Sequence, residues 1–308
     1  MNDEYLVLLF YKYVQVDDPE KLKKIQFNLC KSLSIRGRII VAGEGINGTI
    51  EGRRLNVEEY IKELTRDIRF SDIQFKRSVG TGNTFPKLSV KNRSEIVSAH
   101  LGNDINPNVT VGKYITPEQL YKWVHSKKKF YIVDMRNDYE QDIGHFNDSI
   151  LAPFTNFRDL PKVLPILDSL KSEVIVTVCT GGVRCEKASG FLLQSGFKAV
   201  YQLQGGIISY MEKYPNEDFL GILYTFDGRV TMGFNTNDPK HVVVGRCKFC
   251  KGPAEKYFDC KNIYCKRKRH FISCERCIAK FHGFCSSQCV SSQNKCAKEH
   301  EVNSQFLQ

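Results

Sequence analysis

Eight cysteines near the end of the chain fall into four close pairs: Cys247 with Cys250, Cys260 with Cys265, Cys274 with Cys277, and Cys285 with Cys289. Two thiolates separated by two to four residues can grip one tetrahedral ion, so four pairs supply two sites of four thiolates each. Sequential pairing and a cross-braced arrangement satisfy that count equally. From Gly245 to His300 the chain carries thirteen Lys and Arg against four Asp and Glu, nine of its twelve cysteines and few aliphatic residues. Such a segment cannot build an apolar core and needs metal to stay folded, which predicts two structural zinc ions in closed sites. His270, His282, His300 and Cys296 are alternative ligands for one corner. Reduced thiols without metal, the plain alternative, would be an oxidation liability.

Crowded thiols favour metal thiolates in a reducing compartment. The opening "MNDEYLVLLFYKYV" is acidic, and its apolar stretch is too short for a signal peptide or a membrane span. The expectation is a cytoplasmic protein with no membrane partner. The 308 residues include 45 Lys and Arg against 34 Asp and Glu, a net charge of +11 that points to a polyanion such as nucleic acid. A basic run stands out in "KNIYCKRKRHF", where Lys266, Arg267, Lys268 and Arg269 lie between Tyr264 and Phe271. Cations interleaved with aromatics suit the backbone and unstacked bases of an RNA loop. A merely solvated charged loop is the alternative.

With 42% hydrophobic residues the chain can bury cores in two or three domains. Residues 1–98 read close to βαββαβ: strand "YLVLLFYKYV", helix "DPEKLKKIQFNLCKSLS", strands "RGRIIVA" and "GTIEG", helix "NVEEYIKELTRDI", then "FKRS". That order predicts a ferredoxin-like α+β unit, an antiparallel sheet with helices on one face. Cys30 falls inside the first helix and reads as core. Residues 99–113 are rich in Gly, Asn and Pro and read as a linker. Residues 114–216 alternate helix-length segments with the apolar strands "KFYIVDMR", "VIVTVC" and "AVYQL", which predicts a parallel α/β sheet covered on both faces. Residues 217–244 read as a connector, and 245–308 form the basic cysteine-rich region.

The chemistry concentrates in "VTVCTGGVRCEKASG", residues 176–190. Active sites of parallel sheets gather outside the carboxyl ends of strands, and Cys179 ends the most apolar strand. Thr180, Gly181, Gly182, Val183 and Arg184 can curl so that backbone N–H groups face the sulfur, because glycine tolerates the dihedrals of such a nest. A helix beginning near Cys185 aims its positive end at the same point. Together they should stabilise a thiolate or persulfide at Cys179, with Arg184 adding charge or bracing the loop; the plain alternative is a small buried cysteine whose glycines merely close a turn. Cysteine phosphatase loops place five residues between Cys and Arg, whereas Cys179 and Arg184 enclose four, a ring suited to one extra sulfur atom. Cys185 could resolve a persulfide as a disulfide, or could cap and pack. No flavin or nicotinamide fingerprint is present, and "GEGINGT", residues 43–49, lacks G-x-G-x-x-G spacing; it reads as a glycine turn or a substrate loop.

"CTGGVRCEKASGFLLQSGFKAVYQLQGGI" with "IVDMRNDYEQDIGHFNDSI" upstream resembles a rhodanese domain, whose sulfurtransferase members carry a cysteine persulfide. Asp134, Arg136, Glu140, Gly144 and His145 match its D-x-R-x-x-x-E-x-x-x-G-H pattern and read as an internal charge network. "GEGINGT", "FPKLSVKNRSEIV" and the cysteine-rich tail extend the resemblance along nearly the whole chain, to the bacterial rhodanese-like tRNA uridine hydroxylase family. That resemblance implies conversion of the wobble uridine in the tRNA anticodon loop to 5-hydroxyuridine, with molecular oxygen as co-substrate and the cysteine at 179 essential. The residue pattern alone would suggest sulfur transfer. Two rival expectations stand beside the hydroxylase: a plain sulfurtransferase, and a non-catalytic RNA-binding protein.

Overall fold

The computed structural model describes residues 5–101, 105–262, 265 and 270–291. The N-terminal unit runs β1 (Tyr5–Tyr13), α1 (Pro19–Ser32), β2 (Arg36–Ala42), β3 (Gly45–Arg53), α2 (Arg54–Thr65) and β4 (Phe75–Val79), then β5 (Leu88–Asn92). Its sheet order is β4-β1-β3-β2-β5. Neighbours among the first four strands are antiparallel, as a ferredoxin-like unit requires; β5, which lies in "FPKLSVKNRSEIV", adds a parallel strand to the β2 edge. Asp18 caps α1 through Lys21 N–H, with Pro19 at the first helical position where its missing donor costs nothing. Leu6, Leu8 and Phe10 of β1 meet Leu22, Val57 and Tyr60 in one core, and Cys30 is buried there, its thiol pushed up to about 12 by desolvation. The alternate residues Val7, Leu9 and Tyr11 point to the other face. That face covers the second unit.

The second unit runs β6 (Lys113–Ile115), α3 (Pro117–Val124), β7 (Tyr131–Asp134), α4 (Asp138–Gln141), β8 (Gly144–Phe146), β9 (Ile150–Leu151), α5 (Leu164–Leu167), β10 (Val174–Val178), α6 (Val183–Gln194), β11 (Ala199–Leu203) and α7 (Gly206–Lys213). A parallel sheet of order β6-β11-β10-β7-β9 puts β10 at its centre. One apolar cluster, with Val133, Ile175, Leu192 and Val200, packs one face, and a second, with Ile132, Val176, Leu203 and Ile207, packs the other. A sheet buried on both sides explains why its inner strands read as continuous apolar runs. The edge strands β6 and β9 go beyond the three strands expected from sequence. At three and two residues they are too short to show periodicity.

The stretch after α7 is more ordered than a bare connector: β12 (Phe219–Gly221) pairs with β8, and β13 (Leu223–Tyr224) with β14 (Thr231–Met232). The tail contributes β15 (Tyr257–Phe258), β16 (Phe271–Ile272) and α8 (Glu275–Lys280). It docks through Ile143, Ile222 and Tyr224, which pack on Cys247, Ala254 and Tyr257. Among the described residues no helix is long and apolar enough to cross a membrane.

"GEGINGT" is a turn: Gly43 and Glu44 link β2 to β3 as a hairpin. The turn also clamps the two units together. Glu44 accepts from Ile96 N–H at 2.7 Å and pairs with Lys187 of α6 at 3.0 Å, and Asn47 donates to the Ile96 carbonyl at 3.0 Å. Lys187 is buried and pairs with Glu95 as well, at 2.8 Å. A buried ammonium is tolerable only with such partners.

Candidate active site

β10 delivers Cys179 to the carboxyl end of the sheet, and the chain turns at once into α6. Gly182, which caps that helix, has φ +105°, and a Cβ there would lie 2.7 Å from the Tyr11 hydroxyl oxygen. Only glycine fits. Gly182 N–H donates to Cys179 Sγ at 3.2 Å. Cys185 adds its thiol and its N–H, the latter shared with the Gly182 carbonyl at 2.9 Å. Behind the loop, Ile207 and Ile208 N–H groups of α7 hold the carbonyls of Cys179 and Thr180 at 2.9 and 3.1 Å. Gly206 permits this approach, since a Cβ there would sit 2.6 Å from both carbonyl oxygens.

Cys179 has no accessible surface. Burial alone pushes its thiol up; the Cys185 hydrogen bonds, the Arg184 charge and Gly182 N–H outweigh that and bring it down to about 6. Cys185 moves the opposite way, raised by burial and by its bond to Cys179. The two thiols titrate as a pair, and the loop favours the anion at Cys179 over Cys185.

Arg184 braces the loop and supplies charge. Its guanidinium grips Glu140 through two bonds of 2.6 and 2.7 Å and reaches Thr180 Oγ1 at 3.3 Å, while Thr180 donates to Glu140 at 3.2 Å. Glu140 is fully buried; that burial raises its carboxyl, and Arg184 more than compensates, holding it below the usual range. One layer deeper, Arg136 bonds Asp134 at 2.6 Å and the Gly144 carbonyl at 2.6 Å. The His145 ring hydrogen-bonds the neighbouring Phe146 carbonyl at 3.1 Å. Asp134, Arg136, Glu140 and Gly144 therefore form one internal charge network behind the loop.

The open face of the N-terminal sheet closes over this loop with residues that sequence reasoning did not single out. Lys76 of β4 donates to the Gly181 carbonyl at 2.6 Å, and Tyr13 donates to the Val183 carbonyl at 3.2 Å. Tyr11 and Tyr114 donate to Glu186 at 3.0 and 2.9 Å. Desolvation lowers the Lys76 ammonium to about 8 despite the nearby Cys179 and Glu212. A signal was present in β1: "YLVLLFYKY" is apolar on both faces, which one-sided packing does not need. Beside the contact lies a cavity of about 300 Å³ bounded by Leu9, Ile40, Asn137, Thr180, Arg184 and Phe226. A larger, more polar cleft of about 860 Å³ opens on the Tyr114 and Glu186 side.

In the tail the eight paired cysteines form two groups, Cys247, Cys250, Cys274 and Cys277 in one, Cys260, Cys265, Cys285 and Cys289 in the other. The arrangement is cross-braced: the first pair joins the third, the second joins the fourth. Within each group the sulfurs lie within 4.8 Å of one another, with Cys250 to Cys274 at 3.8 Å and Cys265 to Cys285 at 3.7 Å. A tetrahedron of zinc–sulfur bonds of about 2.3 Å has edges of about 3.8 Å, so both groups fit that ion. Neither His270 nor His282 belongs to either group; Cys296 and His300 lie outside the described residues. So do Tyr264, Lys266, Arg267, Lys268 and Arg269. His270, which follows that run, sets its ring 5.8 Å from Tyr224 and 6.0 Å from Tyr257.

A parallel sheet whose central strand ends in a cysteine, cradled by a glycine turn and a helix start and braced by an Arg–Glu pair, defines a rhodanese-domain protein. Family comparisons agree part by part: residues 116–213 match the rhodanese-like domain, 5–96 the UPF0176 acylphosphatase like domain, and 220–290 the rhodanase C-terminal region. The chain belongs to the tRNA uridine(34) hydroxylase family. It is 38% identical to the Bacillus licheniformis tRNA uridine(34) hydroxylase over 100% of this chain and 95% of that one. The Oceanobacillus iheyensis relative of the same name is 40% identical over 98% and 93%, and that of Aster yellows witches'-broom phytoplasma 40% over 97% of each.

Proposed function

We propose that this chain is an oxidoreductase that hydroxylates C5 of uridine 34, the wobble position in the tRNA anticodon loop. The carrying observation is identity of 38 to 40% along essentially the full length to enzymes of that name. With molecular oxygen as co-substrate, one oxygen atom replaces hydrogen at C5 and the other leaves as water, which consumes two electrons and two protons from a donor. Cys179 is the essential nucleophile in this reading, because it is the thiol held as an anion inside the loop. Thr180 to Arg184 form its cradle, with Gly182 N–H and the Arg184 charge as the supporting contacts.

The roles of the parts follow. Residues 1–98 cover the reactive loop, 114–216 supply it, 217–244 connect, and 245–308 are a zinc-stabilised module whose eight cysteines hold two structural ions. Lys266, Arg267, Lys268 and Arg269 are the candidate contacts to the RNA backbone. The reaction takes place in the cytoplasm, where the tRNA is. Nucleoside mass spectrometry of tRNA from aerated cells with and without the gene tests the assignment. Loss of 5-hydroxyuridine without the gene, restored by wild type and not by Cys179→Ser, is expected; unchanged 5-hydroxyuridine rejects it. A second reading, a sulfurtransferase carrying a persulfide on Cys179, draws on the four-residue ring, and thiosulfate turnover by the same two proteins tests it.

A further inference from the structure

The open face of the N-terminal sheet covers the cysteine loop through β1 and β4. Along β2 and β5 the same face carries a strip of exposed cations. Ile39 and Val41 of β2, with Leu88 and Val90 of β5, pack into the helix-side core. Strand alternation therefore puts Arg36, Arg38 and Ile40, and Ser89 and Lys91, on the open face. The two strands run parallel, with Arg38 opposite Ser89 and Ile40 opposite Lys91. Lys87, one residue ahead of β5, falls on the same side by the same alternation.

Arg36, Arg38, Lys87 and Lys91 are all exposed, and among the described residues none has a side-chain hydrogen bond or ion pair. Glu51, opposite Arg36 in register, is buried and already accepts the N–H groups of Thr81, Gly82 and Thr84 at 2.9 Å each. The cations bordering the 300 Å³ cavity make a contrast. Lys76 holds the Gly181 carbonyl at 2.6 Å, Arg77 pairs with Glu58 at 3.0 Å, Arg184 with Glu140 at 2.6 Å and Arg229 with Asp227 at 2.7 Å. Arg38 borders that cavity too, and its charge has no partner among the described residues. The strip thus starts at the wall that faces Thr180 and Arg184 and runs outward to the sheet edge. Like charges gathered without a counter-charge of the protein's own suit a polyanion.

We propose that Arg36, Arg38, Lys87 and Lys91 bind phosphates of the tRNA anticodon arm and lead its strand to the cavity beside Cys179. The inference rests on the hydroxylase reading and deepens it by giving the N-terminal unit an RNA-binding surface, separate from the basic run of the tail. Contacts of this kind fix where the strand lies without reading its sequence.

The test uses the full-length protein and a fluorescent anticodon stem-loop, with Kd followed by anisotropy over a series of salt concentrations. Each phosphate contact to a single strand adds about 0.7 to the slope of log Kd against log salt. Arg38→Met combined with Lys91→Met is expected to lower that slope by about 1.4 and to weaken binding at least about fivefold near 0.1 M salt. Lys24→Met combined with Lys31→Met removes the same charge from α1, across the sheet, and should leave the slope unchanged. Arg38→Lys combined with Lys91→Arg keeps the charges and should keep the slope. A merely structural role would move Kd without moving the slope. An unchanged slope in the first pair, or an equal fall in the α1 pair, overturns the proposal. Should the double variant unfold, Arg38→Met alone decides, with a slope lower by about 0.7 expected. Wild type that shows these slopes yet forms no 5-hydroxyuridine counts for this surface and against the hydroxylase reading.

Discussion

Two regions of this molecule gather cysteine sulfur, and they do opposite things with it. In the tail, eight thiols stand in two tetrads, each sulfur within 4.8 Å of three others. Four like charges so close are tolerable only around a common cation. At the loop one sulfur stands beside one other thiol, and the opposing charge is a guanidinium pinned to Glu140. Arg184 is held near Cys179 without being consumed by it, so the anion is stabilised yet left uncoordinated. The tail's sulfurs are arranged to share an ion. The loop's sulfur is left with no such partner.

Substitutions can break this contrast. The largest effect is expected from Cys179→Ser: hydroxylation should fall by at least a hundredfold while metal content, read by elemental mass spectrometry, stays at two ions per chain. Cys274→Ser should do the reverse, lowering metal content by about one ion and unfolding the tail, since structural zinc supplies on the order of 10 kcal/mol to a segment of this kind. The pH profile of Cys179 alkylation, followed by peptide mass spectrometry, should be unmoved by that change.

Arg184→Met tests the fixed charge. It leaves Glu140 buried without a partner, which should cost about 3–5 kcal/mol in denaturant unfolding. It should also raise the Cys179 thiol by about one to three pH units. The sign follows from which form the charge favours. With the thiol at about 6 in the wild type, alkylation should plateau above that pH and fall tenfold per unit below it; without the cation the whole curve moves to higher pH. Smallest of all, Lys76→Met should move the same curve upward by less than one unit, and Lys76→Arg should restore part of it. An identical curve in Arg184→Met would dissolve the distinction between the two regions.

Much of this was legible in the sequence. A β-branched run stopping at Cys179, followed by Gly181, Gly182 and Arg184, carries its own geometry, because chain direction, glycine freedom and helix start are all local. The four close pairs showed the tetrads but not their pairing, which depends on how β15, β16 and α8 bring distant segments together. Tyr11, Tyr13 and Lys76 escaped for the same reason: each acts across a domain contact, more than a hundred residues from its partner.

Cys179 has no surface at all beneath the N-terminal sheet. A sulfur in that position meets reductants and electrophiles only when the cover opens, so whatever oxidation state it holds can persist between encounters. The corollary is mechanical: a molecule that is to touch this sulfur must first part Tyr11, Tyr13 and Lys76 from the loop, and the ease of that parting caps the rate of any such encounter.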